Sequence, residues 1–160
     1  MAESFEPLTS RCACGQVCYK IIGEPLFTYV CHCSDCQRTT GSAFVIHTVI
    51  IEDDLGIEDE TKATTLPTGS GAGYDPHLCT NCGTFIWCRY HFAAKCVIVI
   101  RSGTLDDTKL VKPQAHVFGR SKLPWMTLST NVPVFEEFYG REEVYTEKSF
   151  EKWAELVVKN

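Results

Sequence analysis

The 160-residue chain has no apolar run of the length needed to cross a bilayer, which excludes a helical membrane span. It has no basic block either. Its 15 Lys and Arg against 20 Asp and Glu leave a formal charge of -5, without the clustered cationic footprint that a nucleic-acid partner requires. The opening Met1-Ala2-Glu3-Ser4-Phe5-Glu6-Pro7 lacks both a basic and an apolar signal region, so a cytoplasmic, reducing compartment is expected. Helical periodicity is scarce as well. Only the tail shows it, with Phe150, Trp153, Ala154 and Val157 on one stripe of a helix expected over about 147–158, Thr146 as its N-cap and Tyr145 against Phe150 as a staple. The rest reads as strands and turns, a mainly β chain of one domain with its core over about 8–138.

Ten cysteines stand out against these absences. A chain of this length buries roughly 70% of its unfolded surface and needs no covalent staple. In a reducing compartment close thiol pairs hold metal or do redox work more often than they form structural disulfides. Seven of the ten fall into three tight groups: Cys12 with Cys14, the trio Cys31, Cys33 and Cys36, and Cys79 with Cys82. Gly15 and Gly83 directly follow the outer pairs and supply tight turns, with the Gly15 amide free to point at a sulfur. Cys18, Cys88 and Cys96 lie alone inside apolar stretches and read as buried, inert thiols.

Between the groups, Val17, Tyr19 and Ile21 alternate with Gln16, Cys18 and Lys20 as a half-buried strand. Leu26 to Val30, Ala43 to Ile51, Thr84 to Tyr90 and Cys96 to Ile100 are further strands. Residues 52–76 are rich in acidic residues, Thr, Gly and Pro and read as loop.

Zinc takes four tetrahedral ligands in a structural site, and Cys12, Cys14, Cys79 and Cys82 supply four thiolates as two pairs. The trio Cys31, Cys33 and Cys36 is one ligand short, and three ligands from one short stretch leave a position open, as at a catalytic zinc. Spacing also permits Cys12 and Cys14 to join Cys31 and Cys33. Among the histidines, His32 in an extended backbone points away from the flanking cysteines and reads as a surface residue or one packed behind the ligands. His116, in a Pro-bounded irregular segment, is the candidate for a pocket role; His47, His77 and His91 carry no signal.

Cys12-Ala13-Cys14-Gly15, Cys31-His32-Cys33-Ser34-Asp35-Cys36-Gln37-Arg38-Thr39-Thr40-Gly41 and Cys79-Thr80-Asn81-Cys82-Gly83 resemble, in this order, the motifs of the glutathione-dependent formaldehyde-activating enzyme family, also called the CENP-V/GFA domain. The resemblance implies a zinc β-tent fold of twisted antiparallel sheets. It implies a structural zinc on Cys12, Cys14, Cys79 and Cys82 and a catalytic zinc on Cys31, Cys33 and Cys36. It also implies carbon-sulfur lyase chemistry on a glutathione-like thiol and an aldehyde. Gln37 stands where the family usually has a basic residue, and Leu78 where Phe is common. The residues point to the same chemistry without the family name. Three thiolates on zinc acidify a bound water poorly, whereas an incoming thiol would be held as thiolate beside an electrophilic carbon.

Overall fold

A computed structural model describes residues 5–129 and 131–159. The alternation of apolar and polar residues shapes the first two strands, β1 (Leu8–Arg11) and β2 (Cys18–Ile21), each of which buries every second side chain. They pair antiparallel, and β2 pairs in turn with β5 (Leu55–Ile57) to make a three-stranded sheet.

The near-continuous apolar segments form the middle of a second, seven-stranded sheet. In spatial order these strands are β10 (Ala115–Val117), β3 (Phe27–Cys31), β4 (Val45–Ile51), β9 (Val97–Arg101), β8 (Phe85–Tyr90), β7 (Tyr74–Cys79) and β6 (Thr61–Ala63). All neighbours are antiparallel except β10 on β3. The chain is therefore mainly β, as its lack of helical periodicity predicts.

Two cores flank the large sheet, because successive residues of its central strands point to opposite sides. Ile50, Ile98, Ile100 and Trp87 pack with Tyr19 and Ile21 of the small sheet and with Val17 just before β2. On the other face Tyr29, Cys31, Val49, Val97 and Val99 pack beneath residues contributed by the C-terminal segment, among them Phe135, Tyr139, Trp153 and Leu156. That segment runs beside β10: the Phe135 amide donates to His116 O and the Phe118 amide to Glu137 O, each at 2.8 Å. Phe118 adopts a left-handed φ of 55°, where β10 turns away from the sheet.

Four expectations change. Residues 52–76 are not all loop, since β5, β6 and the start of β7 lie there; three-residue strands are too short to show a period, and their partners are remote in sequence. Helix is not confined to the tail. The central cysteine stretch contains α1 (Ser34–Thr40), started by the Cys33 sulfur accepting the Cys36 amide at 3.3 Å and stopped at Gly41. A further turn, α2 (Arg141–Val144), precedes the tail helix α3 (Glu147–Lys159). The predicted cap of α3 is present, with the Ser149 amide donating to Thr146 Oγ1 at 3.1 Å. Its inward face, however, is carried by Trp153 and Leu156, while Val157 is 37% exposed. On the same helix Lys152 pairs with Asp54 at 2.6 Å. Lastly, of the three lone cysteines only Cys88 is fully buried; Cys96 is half-buried and Cys18 exposed, because the alternation of β2 turns Cys18 outward when Tyr19 and Ile21 turn in.

Candidate metal centres

The outer pairs are each carried on a tight turn. Cys12 ends the chain's exit from β1, and Gly15 at φ 75° lets the backbone fold back so that its amide reaches Cys12 O at 3.0 Å. The amide aimed at a sulfur is that of Val17, 3.2 Å from Cys12 Sγ, rather than that of Gly15. Cys79 ends β7, and Gly83 at φ 71° makes the matching turn before β8. Two side-chain contacts join the turns independently of any metal: the Ala13 amide donates to Thr84 Oγ1 at 3.1 Å and the Gln16 amide group to Thr80 Oγ1 at 3.0 Å.

As a result the sulfurs of Cys12, Cys14, Cys79 and Cys82 all lie within 4.8 Å of one another. Cys12 and Cys14 are 3.4 Å apart and Cys14 and Cys79 3.8 Å, with no disulfide formed. Tetrahedral zinc with Zn–S near 2.3 Å requires sulfurs about 3.8 Å apart, so four free thiols at this spacing fit a closed metal shell. Hydrogen bonds prepare two of them for ionisation. The Thr84 hydroxyl, then its amide, holds the Cys82 thiol down to about 5. Cys12 is lowered too: burial opposes ionisation, but the Val17 amide and the neighbouring thiols outweigh it. The grouping is the one that pairs Cys12 and Cys14 with Cys79 and Cys82, and not the alternative with Cys31 and Cys33.

The second group lies in the opposite core. Cys31 is the last residue of β3, and Cys36 sits one turn into α1, so the strand-to-helix connection brings their buried thiols together. The ligand atoms of Cys31, Cys36 and His47 all lie within 4.8 Å of one another, with Cys36 Sγ 3.6 Å from His47 Nε2. Adjacent sulfur and nitrogen ligands of one tetrahedral zinc are about 3.5 Å apart, so this donor set also fits a single ion. Cys33, half-buried at the start of α1, accepts the Cys36 amide at 3.3 Å through its sulfur. The neighbouring Cys31 and Cys36 thiols hold the Cys33 thiol far below the ordinary range, while its neighbours and burial push Cys31 up. The structure therefore gathers two of the expected three cysteines, Cys31 and Cys36, and adds His47, while Cys33 lies beside this group rather than in it.

His47 is fully buried on β4, paired across the sheet with Tyr29 on one side and Arg101 on the other. Arg101 NH1 donates to His47 Nε2 at 3.4 Å, and Nδ1 has no partner. Burial first, and then the arginine's charge, push its pKa well below 6.5, so the ring is neutral. No spacing rule could have singled it out: the signal is the strand register, which places it one strand away from Cys31.

Of the two places expected for His32, on the surface or packed behind the ligands, the structure excludes the surface. The residue is wholly buried, because the chain turns out of β3 here and the His32 amide is fixed to Val117 O at 3.1 Å, ending the extended backbone that would have aimed the ring outward. Its Nε2 is 2.9 Å from Nδ1 of half-buried His116, with the two rings stacked. Burial, with help from His116 and Lys122, lowers His32 to about 4. Gln37 donates from α1 to His32 O at 2.8 Å and Ser121 O at 3.0 Å, tying the helix to the segment after β10.

The family described as glutathione-dependent formaldehyde-activating enzyme matches residues 7–121, which span all seven grouped cysteines, His47 and His116. Among solved structures, that of a Rhodobacter sphaeroides protein is 19% identical, with a TM-score of 0.50 over 79% of this chain and 99% of that one. At that identity the likeness concerns the fold. No curated protein matches the chain. Among the described residues no helix is long and apolar enough to cross a membrane.

Proposed function

Because this chain belongs to the glutathione-dependent formaldehyde-activating enzyme family, we propose that it is a zinc-dependent carbon-sulfur lyase. It would make or break a bond between a glutathione-like thiol and an aldehyde or related carbon electrophile. The observation that supports this most is the inequality of the two thiol groups. Cys12, Cys14, Cys79 and Cys82 would hold a structural zinc in a complete shell. Cys31, Cys33 and Cys36 would hold a catalytic zinc, with room for an incoming sulfur. Zinc bound there would supply a Lewis acid that favours the thiolate form of that sulfur.

The protein's own part is positioning and proton handling. When a thiol adds to a carbonyl, the S–H proton leaves and the carbonyl oxygen gains one. His116, half-buried and hydrogen-bonded to His32, is the group assigned to carry a proton at that oxygen. Ten free cysteines are in keeping with a reducing, cytoplasmic setting. A second reading, a zinc-stabilised binding module without catalysis, is favoured by His47, whose nitrogen could close the second shell.

Cobalt replacing zinc separates the two. Up to two metal ions per chain are expected, and glutathione or another small thiol should alter the sulfur-to-cobalt absorption of the second site and accelerate exchange of its aldehyde adduct. A cobalt spectrum indifferent to thiols, together with no thiol-aldehyde pair exchanging faster than in buffer, would leave only the binding module.

A further inference from the structure

Arg101 is a buried guanidinium, 5% exposed, at the end of β9. Buried charges are paired or neutralised, since an isolated one costs several kcal/mol. Yet among the described residues none of the ion pairs includes Arg101, and its Nε has no hydrogen-bond partner. What surrounds it is neutral. The Phe85 ring lies 3.9 Å from its Cζ, and His47, 3.4 Å from NH1, is an uncharged acceptor. Cys88, which faces it, is kept protonated by burial, as are Tyr74 and Tyr90. The thiol closest to this contact is that of Cys36, whose Sγ is 3.6 Å from the same His47 nitrogen that Arg101 contacts.

We propose that Arg101 is the positioning residue that keeps the group of Cys31, Cys33 and Cys36 open to an anionic sulfur ligand, in two ways that share one geometry. Its N–H occupies the lone pair of His47 Nε2, which is the atom that would otherwise close the shell. Its charge offsets the shell itself: a divalent ion with three thiolates carries -1, the guanidinium brings the group to zero, and a fourth thiolate then leaves -1 instead of -2. The inference rests on reading this group as a metal and thiol site.

The test uses the full-length protein loaded with cobalt, reading glutathione affinity from the change in the second site's sulfur-to-cobalt absorption. The four-thiol site, already complete, gives a band that thiols do not change and so reports folding. Arg101→Met should weaken glutathione binding about 30-fold, the loss expected when one partner of a buried charge pair is removed. Arg101→Lys should retain most of the affinity. Arg101→Met binding glutathione normally, or Arg101→Lys failing as badly as Arg101→Met, would overturn the inference while leaving the proposed function standing. An unmodified protein whose cobalt spectrum ignores glutathione would sink both together. If Arg101→Met loses the four-thiol band, the unmodified protein decides: azide and cyanide should bind the second cobalt in preference to neutral imidazole, and the opposite order would overturn the role of Arg101.

Discussion

His91 sits beyond the end of β8 with both ring nitrogens facing acceptors, Nε2 2.9 Å from the Asp75 carboxylate and Nδ1 3.1 Å from Ala72 O. Two acceptors favour the imidazolium, and the carboxylate is the larger cause of a His91 pKa raised above 6.5. Asp75 is lowered in return, by the Thr65 hydroxyl first and His91 second. The pair's contribution is therefore present below the ordinary histidine value and lost as pH rises through the raised one; it is also lost as pH falls through the lowered Asp75 value. NMR titration should find His91 above 6.5, and Asp75→Asn should return it toward 6.5; an unchanged midpoint would refute the pairing. At this scale the sequence was only partly legible. Thiols announce themselves by spacing, which singled out the seven cysteines but left open whether Cys12 and Cys14 join Cys79 and Cys82 or Cys31 and Cys33; the structure puts them with Cys79 and Cys82, and sets Cys31 and Cys36 with His47. His47 and Arg101 lie 54 positions apart, and only the β4 to β9 register sets them side by side.

Among the elements, α3 is the one whose limits were read most closely, because its cap and amphipathic stripe are local signals. Its rotation was not, and the contacts that go with it reach outside the helix, from Lys152 to Asp54 and from the Trp153 ring to Arg141 4.6 Å away. Thr146→Ala removes the hydroxyl that accepts the Ser149 amide and should cost about 1 kcal/mol. Equilibrium urea unfolding would measure it, and hydrogen exchange should show the loss first in the opening turn of α3; a loss spread evenly over the sheet would contradict a capping role. The short α1 escaped notice for the opposite reason. Six polar residues and a single cysteine, Cys36, show no stripe, and its start is defined by a cysteine sulfur in the place usually taken by Ser or Asp.

At the scale of the whole molecule, two thiol groups serve two cores on opposite faces of one sheet, and their loss should differ. Cys82→Ser breaks the group that joins the turn after β1 to the turn between β7 and β8, and should leave protein that unfolds or aggregates. Cys36→Ser should leave a folded chain with one metal fewer. Circular dichroism with metal analysis by mass spectrometry would settle it; equal melting of both variants would show that the division of labour is wrong. A mainly β chain was foreseeable from composition and alternation. The strand order, with parallel β10 at one edge and the late segment beside it, was not, because pairing between remote strands leaves no local trace. The four-thiol clamp has a consequence for birth as well as for endurance. Cys79 follows Cys14 by 65 positions, and a chain is made from its N-terminus. The first thiol pair must therefore emerge from the ribosome and wait, reduced, until the turn between β7 and β8 has been synthesised. If the clamp closes on a metal ion, the reductant and metal present during translation would bear on how many chains mature, however firmly the finished clamp holds.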